Sequence, residues 1–309
     1  DKGELLAGRL PFQQIVATSS GHGGNTAFEV RLNGRSFLPT ANRHWSTHAT
    51  GMARLALAER LAQTGGGIRY VRFFNDFVVQ TVNNIWTEIG SATDKRYVVE
   101  TAPTVVQRLV LMTTDPGDLV LDPTCGSGTT ATVAEQWGRR WITIDTSRVA
   151  LALARARVMG ARYPYYLLAD SQEGQQKEAE VTRTAPSSQP TYERVRQGFV
   201  YERVPHITLK SIANNAEIDV IWEKWQAILE PLRAELNASL GKNWEEWEVP
   251  RALASGSSEG SAVLTKWWES RISRQKEIDA SIAAKAEFEY LYDKPYEDKK
   301  KVRVAGPFT

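Results

Sequence analysis

The feature that most constrains the fold is a repeating order of short apolar strands and helices between residues 101 and 168. Such alternation is typical of a parallel sheet that is covered by helices, so the sequence predicts an α/β fold for this stretch. The predicted strands are residues 119–121, 141–144 and 165–168, and the predicted helices are residues 104–112, 129–137 and 147–160.

A glycine-rich loop joins the first predicted strand to its helix, with the sequence Asp122-Pro-Thr-Cys-Gly-Ser-Gly128. Glycines let the backbone turn sharply and approach a ligand closely, and ligands of α/β sheets bind at the carboxyl ends of the strands. A P-loop would carry a lysine where Thr129 follows the last glycine, and a dinucleotide fingerprint would carry a third glycine where Ala131 stands. The loop therefore indicates a nucleoside that lacks phosphates.

Acidic residues end the three predicted strands, namely Asp122, Asp145 and Asp170. A carboxylate at the end of the second strand can accept both ribose hydroxyls. Asp170 is placed to accept from an adenine amino group. Three acids at successive strand ends are a more specific signal of nucleoside binding than the glycines alone.

The glycine loop resembles the D-P-F-x-G-S-G-T box of the DNA N6-adenine and N4-cytosine methyltransferases, which include modification subunits of restriction systems. Residues 135–145 are similar to the next strand of that family, and residues 97–108 stand in the place of its helix-opening H-P-T-x-K-P element. That element precedes the glycine box in the permuted, beta-type order. The resemblance is close over about residues 84–170 and looser over 28–83 and 199–309.

The resemblance implies a Rossmann-like S-adenosylmethionine-dependent methyltransferase core that acts on DNA. It places the methionine part of the cofactor near the glycine box, the ribose on Asp145 and the adenine near Asp170. Thr124 stands where the family has Phe, and the element around Pro103 lacks the family's Lys. The implied cofactor-binding residues are Thr101, Pro103, Asp122, Pro123, Thr124, Cys125, Gly126, Gly128, Thr129, Asp145 and Asp170.

The sequence contains no D-P-P-Y or S-P-P-Y box, which the family uses for catalysis, so no catalytic residue is assigned. The nearest string is Asp293-Lys-Pro-Tyr296, in which a lysine interrupts the double proline and which is expected to follow a helix. In the permuted order the box precedes the glycine box. We therefore expect a fragment that binds cofactor without turnover, because a base must be flipped out and gripped before its amino group can react.

Four regions are expected along the chain: a β-rich segment over 1–83, which is a candidate for contact with DNA or the target, the cofactor-binding core over 84–175, a linker over 176–198 and a helical arm over 199–309. Asn33-Gly34 predicts a β-hairpin over 28–37, followed by a helix over 50–63 and a strand over 68–74. Apolar residues at a spacing of three to four predict an antiparallel helical hairpin in the arm, whose first helix is expected to be capped by Asn214.

A net charge of +2 does not by itself indicate nucleic-acid binding, so a DNA-facing surface must be local. The candidates for this surface are Arg139, Arg140 and Arg148. Two more arginines, Arg155 and Arg162, follow Arg148 at intervals of seven residues. A solvated basic face is the alternative. A restriction subunit or the missing N-terminal part of the same protein is the further expected partner.

A single cysteine, Cys125, fits a reducing compartment, and no apolar run is long enough to span a membrane. We therefore expect a cytoplasmic protein. Two histidines four residues apart, His44 and His48, could share a metal on a helix, but the nearby Gly51 disfavours a helix and a third ligand is not evident. They are therefore interpreted as residues that hold no metal. Cys125 lies within the glycine loop and is interpreted as a residue beside the cofactor rather than a nucleophile.

The sequence thus predicts a site-specific DNA amino-methyltransferase that uses S-adenosylmethionine, with N6-adenine favoured over N4-cytosine. Two alternatives stay open. One is a methyltransferase for RNA or a small molecule, and the other is a noncatalytic nucleic-acid-binding subunit that keeps the fold.

Overall fold

The computed structural model describes residues 11–21, 24–80, 82–87, 89, 100–253 and 258–306. The chain divides into two compact units, of which the first takes residues 1–79 and 204–289 and the second takes residues 80–203 and 290–309. The N-terminal β-rich segment and most of the helical arm, expected as separate regions, therefore belong to one unit.

The described part of the chain mixes helices and strands, as predicted for an α/β protein. In chain order the elements are β1 (Phe12–Val16), β2 (Thr18–Ser20), β3 (Val30–Leu32), β4 (Arg35–Phe37), β5 (Arg43–Trp45), α1 (Ala49–Leu57), β6 (Leu61–Thr64), β7 (Gly67–Phe73), α2 (Pro103–Thr113), β8 (Leu119–Asp122), α3 (Thr129–Gln136), β9 (Arg140–Thr143), α4 (Arg148–Gly160), β10 (Tyr163–Tyr166), α5 (Gln172–Thr182), β11 (Tyr201–His206), α6 (Leu209–Ala213), α7 (Glu217–Leu240), α8 (Ser258–Ala284), β12 (Glu287–Pro295) and β13 (Glu297–Arg303).

The predicted hairpin around Asn33-Gly34 is present in the first unit. β3 pairs antiparallel with β4, and Val30 lies opposite Phe37. Asn33 and Gly34 have φ angles of 48° and 73°. Both central residues of a type I′ turn need a positive φ, and asparagine and glycine adopt it most readily.

The helix predicted over 50–63 is too long, because α1 ends at Leu57 and residues 61–64 form β6. Glu59 turns the chain with a φ of 54°. The next residue, Arg60, is buried and donates to both carboxylate oxygens of Asp76, at 2.5 and 3.0 Å. β6 then pairs antiparallel with β7, which also pairs with β1. Where the last turns of the helix were predicted, the chain instead forms a buried ion pair at Arg60 and the paired strand β6.

The predicted helical hairpin is confirmed as α7 and α8. Their antiparallel direction follows from the contact of Lys224 near the start of α7 with Glu277 near the end of α8, at 2.8 Å. Asn214 does not cap α7: the N-cap position is Ala216, and the amide of Glu217 donates to Asn215 Oδ1 at 3.2 Å. Asn214 instead ends α6.

The second unit contains the predicted strand, loop, helix and strand. β8 and β9 pair in parallel, with Leu119 opposite Arg140 and Asp122 opposite Thr143. The third strand, β10, begins two residues earlier than predicted and pairs antiparallel with β13, where Tyr163 lies opposite Arg303. Among the described residues the parallel sheet therefore has two strands rather than three.

The linker predicted over 176–198 is helical in its first part, because α5 runs from Gln172 to Thr182. Ser171 caps this helix by accepting from the amide of Gly174 at 3.0 Å. Ala179 is buried and Lys177 pairs with Glu180. The sequence pattern missed the helix because it buries small residues in place of large apolar ones.

One face of the parallel pair is uncovered in the described residues. Val120 packs inward against a cluster that contains Val110 and Val133. The alternate residues, which point to the opposite face, are between 49% and 61% exposed; they are Leu119, Leu121, Ile142 and Ile144. Parallel strands are usually covered by helices on both faces, so this apolar face is unusual for a parallel pair.

Candidate functional site

The glycine loop leaves β8 at Asp122 and enters α3 at Thr129. Gly126 and Gly128 have φ angles of 51° and 77°, which L side chains rarely adopt. The amide of Cys125 donates to the carbonyl oxygen of Ile144 at 2.8 Å, just beyond the end of β9. The loop is thereby fixed across the carboxyl ends of both parallel strands.

Gly128 allows the loop to contact α4 closely. A Cβ at Gly128 would lie 2.7 Å from the Cβ of Ala154 and 2.9 Å from its Cα. Both distances are shorter than a real carbon–carbon contact. The second glycine of the loop is therefore required by packing as well as by its backbone conformation.

Asp145 connects the loop to the start of α4. Its Oδ2 accepts from the amide of Gly126 at 2.9 Å and its Oδ1 accepts from the amide of Ser147 at 2.8 Å. The backbone hydrogen bonds from Ser147 and Gly126 hold the pKa of Asp145 below its usual value. Each carboxylate oxygen has two lone pairs, so the ionised side chain can position the loop and still accept from a ligand hydroxyl.

Asp122 and Asp170 also bind nearby backbone. Asp122 Oδ1 accepts from the amide of Thr124 at 3.0 Å. The two oxygens of Asp170 accept from the amides of Tyr192 and Arg194, at 3.2 and 3.1 Å. The Asp170 carboxylate thus shapes the loop that follows α5, a role that sequence reasoning did not assign to it.

A buried ion pair that the sequence pattern did not reveal ties three segments together. Glu100 Oε1 lies 2.6 Å from Arg157 Nη1, and the Glu100 side chain is only 3% exposed. The same Arg157 nitrogen donates to Ser127 Oγ and Thr129 Oγ1, both at 3.0 Å. The residues before α2, the glycine loop and α4 therefore share one polar cluster. The one available signal was that Arg157 follows Ala150 and Ala154 on the apolar face of α4.

The other predicted cofactor residues fall into an exposed and a buried group. Thr101, Pro103, Pro123 and Thr124 are exposed, whereas Cys125 and Thr129 are buried. Pro103 is the first residue of α2, where a missing amide hydrogen costs nothing. Residues 97–99 of the helix-opening element lie outside the described residues.

The three candidate DNA-contacting arginines differ in their surroundings. Arg139 is 5% exposed, and it donates to Thr114 Oγ1 at 3.0 Å and to the carbonyl oxygen of Trp137 at 2.7 Å. Burial lowers the pKa of its guanidinium. Arg139 therefore supports the protein interior and is not free to meet a phosphate, in contrast to the sequence-based expectation. Arg140 and Arg148 are exposed.

The structure also shows the positions of the Asp293-Lys-Pro-Tyr296 string and of the two histidines His44 and His48. Asp293 to Pro295 end the strand β12 with Asp293 exposed, so this string does not directly follow a helix as expected. His48 caps α1 by accepting from the amide of Gly51 at 2.9 Å, and His44 lies in β5.

Among the described residues, no helix combines the length and apolarity needed to cross a bilayer.

Comparisons with known proteins agree with this geometry. Residues 75–156 match a family model described as DNA methylase, of the N6 and N4 type. The Type II methyltransferase M2.DpnII of Streptococcus pneumoniae is 37% identical over 83 residues, which are 25% of this chain and 30% of that relative. M2.LlaDCHI of Lactococcus lactis subsp. cremoris is 35% identical over 97 residues, which are 29% of this chain and 35% of that relative.

M.BamHI of Bacillus amyloliquefaciens is 33% identical over 81 residues, which are 25% of this chain and 19% of that relative. The chain thus spans about a third or less of the length of these curated relatives. The matched region contains β8, the glycine loop, α3, β9 and Asp145. Over residues 75–156, the chain is therefore similar to the DNA N6/N4 methylases.

Proposed function

We propose that this chain supplies the S-adenosylmethionine-binding part of a site-specific DNA amino-methyltransferase, with adenine N6 as the favoured target. The observation that carries the proposal is the glycine loop whose Gly126 amide is held by Asp145 at 2.9 Å. That loop lies within the stretch that matches the DNA methylase model. The Rossmann-like character of the core is part of the same proposal.

The donors and acceptors around the loop suit a nucleoside with an amino-acid tail. Asp145 is partly exposed and ionised, so it can accept from ribose hydroxyls while it keeps its backbone partners. Asp122 has one oxygen bound by Thr124, and its second oxygen can meet the ammonium group of the methionine part. No lysine follows Gly128 to meet a phosphate. This chemistry favours S-adenosylmethionine over ATP or NAD.

S-adenosylmethionine, when bound, supplies a methyl group on a sulfonium, and transfer requires an in-line approach of the target nitrogen. Catalysis of such a step is mostly orientation of the two reactants. This chain's residues hold the cofactor side of that arrangement. Asp145 fixes the loop and the ribose, and the cluster of Glu100 and Arg157 fixes the loop against α2 and α4.

We infer that the base-gripping side is supplied by polypeptide outside the described core, because the sequence contains no double proline like that of the catalytic box in the family it resembles. We propose that this base-gripping segment packs on the apolar face formed by Leu119, Leu121, Ile142 and Ile144. A helix on that face would complete the usual covering of a parallel pair. The relatives, which extend well beyond the matched stretch, have the length to include such a segment.

Calorimetric titration tests the cofactor assignment. The purified chain is expected to bind S-adenosylmethionine and to ignore NAD and ATP. Asp145→Ala is expected to abolish that binding, whereas Glu202→Ala, which removes an exposed carboxylate on β11 of the same unit, is expected to leave it unchanged. Binding of ATP or NAD in preference to S-adenosylmethionine would refute the proposed function.

A methyl-transfer assay tests the proposed incompleteness. With duplex DNA and labelled S-adenosylmethionine, the chain alone is expected to transfer no label. Turnover by the chain alone would show that residues 1–309 contain the base-gripping groups after all.

A further inference from the structure

A cleft in the first unit is separate in sequence from the glycine loop and has no role in the proposed methyl transfer. Its volume is about 390 Å³, within the range of small-molecule sites. Ile15, Ile207 and Leu209 give it apolar walls, and Tyr70, Arg72 and Lys210 give it polar groups. The cleft therefore combines an apolar body with donors, as nucleotide sites do.

Tyr70 is the buried polar group of this cleft. Its side chain is 4% exposed, and its hydroxyl has no hydrogen-bond partner among the described residues. Buried hydroxyls are nearly always hydrogen-bonded, so an unpartnered one calls for an explanation. Burial raises the pKa of Tyr70 to about 12. The phenol therefore stays protonated and can act as a donor.

The charge of the cleft is positive. Arg72 lies two residues from Tyr70 along β7, on the same face of the strand. Neither Arg72 nor Lys210 forms an ion pair with any residue in the part of the chain that the structure describes. The neighbouring acids are engaged, since Glu289 contacts His206 Nδ1 at 3.1 Å and Asp76 binds Arg60. The free charges that face the cleft are thus cationic.

We infer that this cleft binds one nucleotide of a DNA strand. Arg72 and Lys210 would meet its phosphate, Tyr70 Oη would donate to it, and the apolar walls would contact its sugar and base. Arginine, lysine and tyrosine are frequent partners of DNA phosphates. The choice of DNA as the molecule that carries the nucleotide rests on the proposed function. The assignment of a nucleotide as the ligand rests on the residues of the cleft itself.

Fluorescence anisotropy with the full chain and a labelled DNA duplex tests the inference across a salt series. Arg72→Gln is expected to weaken binding about tenfold and to lower the salt slope by about one, because one phosphate contact is lost. Tyr70→Phe is expected to weaken binding severalfold while the far-UV spectrum and unfolding midpoint stay intact. Lys266→Gln, at an exposed position on α8, is the matched control and should bind as the wild type does.

Competition distinguishes the possible sources of the phosphate. A deoxynucleoside monophosphate is expected to displace the duplex from the wild type and not from Arg72→Gln. Displacement by inorganic phosphate at equal concentration would overturn the nucleotide assignment, and so would wild-type affinity in both Arg72→Gln and Tyr70→Phe. Calorimetry of the wild-type chain with S-adenosylmethionine separates the two proposals. If the chain binds DNA but does not bind S-adenosylmethionine, only the proposed function is refuted.

Discussion

Replacement of Gly128 by alanine is the most direct test of the loop geometry. The φ of 77° at this position disfavours an L residue by about 1–2 kcal/mol. The new Cβ would also meet the Cβ and Cα of Ala154 at 2.7 and 2.9 Å. Overpacking of this kind costs about 1–3 kcal/mol. The sum predicts that opening of the loop becomes easier by about 2–5 kcal/mol.

Cys125 gives a local assay for this change, since it is the chain's single cysteine and lies buried in the loop. A thiol reagent can label it only when the loop opens, so the labelling rate reports the local opening equilibrium. The predicted destabilisation corresponds to labelling that is faster by about 30-fold or more. The rate is measured under native conditions by absorbance of the released chromophore.

Gly160→Ala is the matched control, because it adds the same methyl group to the end of α4 where nothing lies within 4 Å. Its labelling rate should equal that of the wild type. Ala154→Gly added to Gly128→Ala removes the contact at 2.7 Å and leaves the one at 2.9 Å, so it should restore protection only in part. Equal rates for Gly128→Ala and Gly160→Ala would contradict the packing argument.

Three further predictions concern single side chains. Glu100→Gln leaves Arg157 unpaired in a largely buried cluster, so the free energy of unfolding should fall by about 3 kcal/mol in urea titrations; a loss no larger than that of an exposed Glu→Gln change would count against the cluster. Asp145→Asn should destabilise the loop at neutral pH. Because the folded pKa of Asp145 is lowered, the advantage of the wild type is complete above the ordinary value of about 3.9 and disappears as pH falls through the lowered pKa; a difference that persists in strong acid would show another cause. Tyr70→Phe removes a buried hydroxyl that has no hydrogen-bond partner among the described residues, so stability should stay the same or rise by up to about 1 kcal/mol, and a clear fall in the unfolding midpoint would reveal a partner for the hydroxyl.

Local patterns predicted the elements between residues 103 and 160 well, because each of these elements has its own signal in the chain. The glycine loop, the start of α4 at Arg148 and the two parallel strands depend on neighbouring residues, and they occur within a residue or two of the predicted positions. The same holds for the hairpin at Asn33-Gly34, where two positive φ angles specify the turn. The match to the DNA methylase model covers the stretch in which these local signals are densest.

The partners of each element were decided by tertiary structure, because pairing depends on which distant segment meets it. β10 was predicted as a strand, but its antiparallel pairing with β13 joins residues that are far apart in the chain. Arg139 looked like a surface cation, and its burial follows from the position of Thr114 and Trp137 around it. Glu100 and Arg157 carry no local pattern that reveals their pairing.

The sequence by itself thus determined the strand–glycine–helix unit, which follows from residue types at short spacing, whereas nucleoside binding by its acids stays a prediction. Only the tertiary structure decided that Asp145 holds Gly126, that described residues leave one face of the parallel pair uncovered, and that Tyr70, Arg72 and Lys210 meet in one cleft. Those features arise from contacts between distant residues, and a linear pattern contains no information on which distant side chains share the same space.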